Sequence, residues 1–341
     1  MKKFKIFGSR IIKTGIAVFI TSLICHWLGW PAVFAVITAI VTVEPTVSDS
    51  IRKGIVRFPA SAIGSAYAVL FIYLFGNSPI TYTAAALFTI ITCFKLKLHD
   101  GLLVATLTSV AMIEVIHSNF IISFFIRLGT TSIGLLVSTA VNMFVLPPNY
   151  SKRILTNIHS MLKTTGSELE SILKLIIEGT STKHNEATIR ATFAQLKRKL
   201  DRTDMLIRFQ KEEMKYHRLD KQARTIFNNE QEMMKDLRLI HYHIGNLINT
   251  PLEDVSWSEE DRKKIIATVE TISDAMKHPD HFSIKEHQKA VREIMEQFWD
   301  NKKRTTNQSN SETATFFSAE IIILYELLSI YNIVEDLLTR E

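Results

Sequence analysis

The chain has 341 residues, with 40 Lys+Arg, 34 Asp+Glu and 47% hydrophobic content, but these averages conceal two unlike parts. Residues 1–150 hold 11 Lys+Arg and 4 Asp+Glu; the other 191 hold 29 basic and 30 acidic groups. A part so poor in charge cannot solvate a globular surface and points to lipid as its solvent, which excludes a single soluble domain. A nucleic-acid binder is excluded as well. The basic excess lies in the apolar part, and the second part has no basic stripe to neutralise phosphates. Cys25 and Cys93 lie inside apolar runs, which excludes a disulfide framework and a cysteine zinc site.

Six apolar runs fall at about 12–29, 31–44, 56–76, 79–94, 101–118 and 120–146. A span needs roughly 20 apolar residues. The first, third and sixth runs supply them; the second, fourth and fifth are short or interrupted. The first run follows Met-Lys-Lys-Phe-Lys, yet no small-residue cleavage site follows it and five more apolar runs do, so it reads as a span and not a signal peptide. Lys2, Lys3, Lys5, Arg10 and Lys13 precede the first run, and Arg52, Lys53 and Arg57 separate the second from the third. Lys95 and Lys97 separate the fourth from the fifth, and Lys152 and Arg153 follow the sixth. The turns near Gly29-Trp30-Pro31, Gly76-Asn77-Ser78-Pro79 and His117-Ser118-Asn119 carry neither Lys nor Arg. The positive-inside rule then predicts a multi-pass protein with six spans and both termini in the cytoplasm.

Shifted by 70 positions, residues 32–66 align with 102–136 without a gap. Ala35 meets Ala105, Thr38 meets Thr108, Glu44 meets Glu114, Ser48 meets Ser118, Ile51 meets Ile121, Arg57 meets Arg127, Ile63 meets Ile133 and Gly64 meets Gly134. Eight identities in 35 positions exceed the about two or three that an apolar bias would give. Three spans per repeat is an odd number, so the second copy is expected upside down, as in the inverted repeats of secondary transporters.

Glu44 precedes Pro45, which removes a backbone donor and disfavours helix at the residue before it, so the second span should break there. Burying a lone charge at mid-bilayer costs on the order of 3 kcal/mol on insertion scales. Glu44 is therefore expected to pair with Arg57, and Glu114 with Arg127, either as gates and ion stations or as static links between helices. Thr38 and Thr108 offer hydroxyls to a carboxylate substrate, or simply bond their own helix. Gly64 and Gly134 stand in small-residue stretches that allow close helix packing.

The stretch Trp30-Pro31-Ala32-Val33-Phe34-Ala35-Val36-Ile37-Thr38-Ala39-Ile40-Val41, then Glu44-Pro45-Thr46, Arg57 and Gly64, resembles the opening of fusaric-acid-resistance-like membrane proteins. More narrowly, the chain resembles the bacterial aromatic acid exporter family, over residues 1–146 by motif and beyond by architecture. The resemblance implies a bacterial cell membrane and efflux of small organic anions, aromatic carboxylic acids among them. Larger exporters carry two six-span units where this chain has one, which implies a homodimer. A non-transporting anchor, acting as a sensor or scaffold through its cytoplasmic part, is the alternative.

The expected organisation is all-α: a transmembrane domain over 1–149 and a soluble helical bundle over 150–341. Bundle helices are predicted at about 150–178, 185–215, 219–249, 258–277, 283–300 and 313–339. Breaks are predicted at Gly179-Thr180-Ser181-Thr182, Thr250-Pro251, His278-Pro279-Asp280 and from Asn301 to Ser311. The last helix is apolar, but Glu320, Glu326, Glu335 and Asp336 interrupt it, so it reads as a core helix and not a seventh span. The charge-rich run from Lys197 to Lys221 reads as a solvated face with intrahelical pairs. No phosphate loop, dinucleotide turn or nucleophile elbow is present, so no enzyme, cofactor or metal is expected; the cluster His278, Asp280, His281 and His287 reads as a solvated helix start.

Overall fold

The computed structural model describes residues 9–115, 119–145, 147–178, 183–217, 219–250, 257–308 and 318–340. Among them the chain is all-α, with twelve α-helices, one 3-10 turn and no strand. Lys2, Lys3, Lys5, His117, Ser118, Pro251 and the break at 179–182 lie outside the described residues. Backbone proximity groups Met1–Asn149 with Phe209–Arg218 as one unit, and Tyr150–Arg208 with Leu219–Glu341 as another.

The first unit begins with α1 (Ser9–Trp27), which stops at Gly29, where φ is +67° and the Trp30 N–H closes on the Cys25 carbonyl at 2.9 Å. Only glycine adopts that left-handed turn without strain. Pro31 then leads into α2 (Ala32–Thr42). Helix α3 (Val47–Phe75) begins well before the apolar run predicted at 56–76, because the Thr46 hydroxyl caps it by accepting the Asp49 N–H at 3.0 Å. Arg52 and Lys53, which lie between two apolar runs in the sequence, sit inside α3. Gly76, at φ +60°, closes α3, and Ser78 caps α4 (Pro79–Lys95). Then come α5 (His99–Val115) and α6 (Phe120–Phe144).

Helices α1, α3 and α6 are long and apolar enough to cross a membrane, while α2 and α4 are apolar but shorter. Packing does not follow chain order. Helix α3 lies against α5 and α6, and α6 lies against α2 as well; α1 packs on α2 and α6, and α4 on α5 and α3.

The second unit comprises α7 (Ser151–Glu178), α8 (Lys183–Glu213) up to Arg208, α9 (Lys221–Asn249), α10 (Glu259–Lys277), α11 (Ile284–Gln308) and α12 (Ala319–Thr339). Helix α11 continues to Gln308, so the break predicted from Asn301 does not occur there; 309–311 lie outside the described residues. Apolar residues at helical spacing on α7, α9 and α12 build the core, with Tyr331 fully buried and its hydroxyl donating to the Thr268 carbonyl. Glu326, expected to interrupt the last helix, faces inward and meets His243 and the Asn246 amide, the latter at 2.9 Å.

Glu168 on α7 is buried with neither carboxylate oxygen hydrogen-bonded among the described residues, and burial pushes its carboxyl up to about 7 from an ordinary 4.5. The unfolded chain titrates at the ordinary value, so between those two values the folded state binds more protons and stability falls as pH rises. Glu168→Gln should leave thermal stability nearly unchanged near pH 4 and raise it by about 3 kcal/mol at pH 8. Equal effects at both pH values would show that the carboxyl titrates normally.

Candidate functional site

The break after α2 is where the first unit concentrates its polar groups. Backbone turns out of helix at Val43, and Pro45 keeps Glu44 out of the helical ladder. The freed groups are then satisfied by side chains. Ser50 donates to the Thr42 carbonyl at 3.0 Å. The Asn142 amide, from α6, donates to the carbonyls of Glu44 and Thr46 and to the Ser50 hydroxyl at 3.1, 3.2 and 2.9 Å. Its oxygen takes the Lys13 ammonium of α1 at 2.8 Å.

Glu44 pairs with Arg57 at 2.9 Å, as the sequence predicts, and also with Lys53 at 3.0 Å. The Arg57 guanidinium additionally donates to the carbonyls of Val41 and Asp100 at 3.1 and 3.2 Å. Glu213, at the end of α8, belongs to this same unit. Its carboxylate is 1% exposed and accepts the Val47 N–H at 2.6 Å, satisfying an otherwise orphan donor of the first turn of α3. His217 holds the other Glu213 oxygen at 3.3 Å and the Met143 carbonyl at 2.9 Å.

The second predicted pair does not form. Glu114 is exposed and takes the Tyr82 hydroxyl of α4, while Arg127 turns the other way into the helices. Arg127 is 2% exposed, donates one nitrogen to the Thr108 hydroxyl, and lies 4.3 Å from the centroid of the Phe34 ring. Its Nε and its other terminal nitrogen have no hydrogen-bond partner, and it makes no ion pair among the described residues. The reason is local. Glu44 leaves α2 at Pro45 and folds back to Arg57, whereas Glu114 stays on a continuous α5 and points outward.

Thr38 is buried but donates to the Phe34 carbonyl of its own helix at 2.9 Å. It forms the wall against Gly134, so its place is in helix packing and not on Arg127. Gly64 and Gly134 are true close approaches. A Cβ at Gly64 would sit 2.4 Å from the Ala105 carbonyl oxygen, and one at Gly134 would sit 2.4 Å from the Ala35 carbonyl oxygen. Both faces are thus used inside one chain and do not supply a dimer contact. Ser61 and Thr131, also 70 positions apart, share a hydrogen bond of 3.3 Å where α3 meets α6. Beside them, a cavity of about 480 Å³ lies between α3 and α6, lined by Gly54, Phe58, Ser132, Leu135 and Thr139 with Ser50.

Ser50, Asn142, Glu213 and His217 were not expected at a site from sequence, and Lys13 was read only as a topology marker. Asn142 carried a signal, an amide in the apolar run ending at 146; Glu213 carried none, being one acid among many in a charged helix. Among the described residues no group of three or more His, Cys, Asp or Glu is placed to hold a metal.

Long apolar helices, an interlocked helical unit and charges buried within it define an all-α membrane protein. Residues 5–145 match the family described as Aromatic acid exporter family member 1. Over nearly its whole length the chain is similar to UPF0421 proteins. It is 48% identical to one from Oceanobacillus iheyensis (98% of this chain, 96% of the relative). It is 42% identical to one from Bacillus cereus (99% and 94%), and 35% identical to one from Staphylococcus haemolyticus (96% and 98%). The chain belongs to the UPF0421 proteins, and over residues 5–145 it matches the aromatic acid exporter family, a family of transporters.

Proposed function

We propose that the chain is a secondary exporter of small organic anions, aromatic carboxylic acids among them, with Arg127 as its anion site. The observation that carries this reading is the Arg127 guanidinium: buried, without a counter-charge, with two nitrogens free to bind. An isolated intramembrane cation is costly unless it faces a pathway or a ligand. A carboxylate matches its fork, Phe34 provides an aromatic wall, and Thr108 fixes the orientation. A non-transporting anchor needs no such group.

The reading includes an inverted three-plus-three repeat. Supporting it are the paired close approaches Gly64–Ala105 and Gly134–Ala35, the Ser61–Thr131 contact, and the exchange by which α3 packs on α5 and α6 on α2. In this scheme Glu44 and Arg57 close the cytoplasmic end, Glu114 with Tyr82 stands towards the external end, and six spans place both termini in the cytoplasm. The functional protein is a homodimer, since one six-span unit offers little wall to enclose a substrate.

Reconstituted into vesicles, the wild-type chain should carry aromatic carboxylates such as benzoate down an imposed gradient. Arg127→Gln should keep its fold and lose at least about 90% of that flux, given that one charge-assisted bond is worth on the order of 1.5–3 kcal/mol. Undiminished flux in the variant would remove Arg127 from the pathway. Topology has its own test: in intact cells an impermeant thiol reagent should label Asn77→Cys and not Asp100→Cys. Labelling at Asp100→Cys would break the six-span scheme.

A further inference from the structure

A cavity of about 620 Å³ in the second unit is lined by Arg153 and Asn157 of α7 and by Gln195, Arg198, Lys199 and Arg202 of α8. Four of these six residues are cations and none is an acid. The charged run from Lys197 to Lys221 was expected to neutralise itself by local pairs; Glu212 does so with Lys215 at 2.8 Å, but the acids beside the cavity do not. Asp201 and Asp204 turn to Arg238 of α9, at 3.7 Å for Asp201 and in direct contact for Asp204. Arg153, Arg198 and Arg202 are left without an ion pair among the described residues. Lys199 meets only the neutral Ser160 hydroxyl, at 2.7 Å, and Asn157 donates to Thr203 at 3.1 Å.

We propose that this cavity binds a phosphate-bearing anion. Arg198 and Arg202 are four residues apart on one helix, where like charges repel, and Arg153 adds a third guanidinium from the facing helix. Among the described residues no acid pairs with any of the three, which leaves the place of a counter-charge open to an anionic ligand. Guanidinium forks match phosphate oxygens two at a time, and a phosphate monoester brings a charge near −2 with three acceptor oxygens, where a carboxylate brings −1 and two. The volume suits a small molecule or a lipid headgroup. Met205 and Leu206, on the same cavity wall, suit an apolar portion next to the phosphate. Arg153 follows the end of α6 by only nine positions, so a phospholipid headgroup and a soluble phosphate ester are the two sources of this chemistry.

The test uses the full-length chain in a neutral detergent. Inorganic pyrophosphate and short-chain phosphatidic acid are titrated separately, with binding heat and the thermal midpoint as readouts and short-chain phosphatidylcholine as the zwitterionic control. At least one of the two anions should bind and raise the midpoint, less so at high salt. Binding of phosphatidic acid alone assigns the site to lipid; binding of pyrophosphate assigns it to a soluble ester. Arg198→Gln/Arg202→Gln, at two exposed positions, should keep the fold and weaken binding at least about tenfold. If that double variant is unstable, Arg153→Gln on the other helix serves in its place with the same expected loss. No binding to the wild type, or equal binding by wild type and variants, overturns the proposal.

Discussion

Gly134→Ala should destabilise the first unit by about 3 kcal/mol, and Gly64→Ala should do the same. The added methyl would meet backbone, a carbonyl oxygen at 2.4 Å in each case, and backbone cannot step aside as a flexible side chain can. At Gly134 the Thr38 Cβ, 2.9 Å away, closes the remaining route. Relief therefore requires α6 to back away from α2, or α3 from α5, with loss of contact along the whole crossing. Gly15 on α1 is the control: nothing lies within 4 Å of its missing Cβ, so Gly15→Ala should be neutral or gain up to about 1 kcal/mol from helix propensity. Yield and thermal unfolding in detergent read all three. If Gly134→Ala behaves like Gly15→Ala, the helices are not as close as described.

Glu44→Gln carries the second large effect. It leaves Arg57 and Lys53 facing each other with no anion between them, and breaking a buried pair from one side costs about 3–5 kcal/mol. Glu44→Gln/Arg57→Gln should recover part of that loss. Recovery is incomplete because Arg57 also serves the Val41 and Asp100 carbonyls, which the shorter amide cannot reach together. The repeat-related residues should behave differently. Glu114 is exposed and bonded to Tyr82, so Glu114→Gln should cost under about 1 kcal/mol and combine additively with Arg127→Gln. Coupling between Glu114 and Arg127 comparable to that between Glu44 and Arg57 would contradict the geometry.

That contrast also marks how far the sequence could be read. Helix positions were legible because apolar runs, Gly29, Pro31, Gly76 and Pro79 punctuate the first unit, and charged faces with polar breaks punctuate the second. The register of 70 is visible as identical residues at matched positions, and its reading as an inverted repeat belongs to the proposal above. Pairing by analogy failed at Glu114 because the match at offset 70 holds for the acid but not for the Pro45 that redirects Glu44; Val115 stands in its place. The start of α3 was missed because hydropathy reports where lipid contact begins and is silent on a cap such as Thr46 that lies outside it. Glu213 was out of reach, and Asn142 could be noticed as an amide in an apolar run but given no role, for another reason: each is defined by the backbone groups it satisfies, and those are brought to it from far along the chain. The cation-lined cavity was concealed by the opposite error, since acids adjacent in sequence to Arg198 and Arg202 belong in space to Arg238.

The exchange of helices between the two halves has a consequence for biosynthesis. Gly64 leaves the ribosome 41 residues before Ala105, and Ala35 leaves it 99 residues before Gly134. At about 5–20 residues per second, the groove on α3 waits roughly 2–8 s for its partner, and the groove on α2 roughly 5–20 s. During those seconds α2 and α3 are already made but lack the surfaces they are shaped for, so lipid or the insertion machinery must occupy them. A chain that stalls after its third helix is therefore an unclosed half with two open grooves, and quality control would meet it as such.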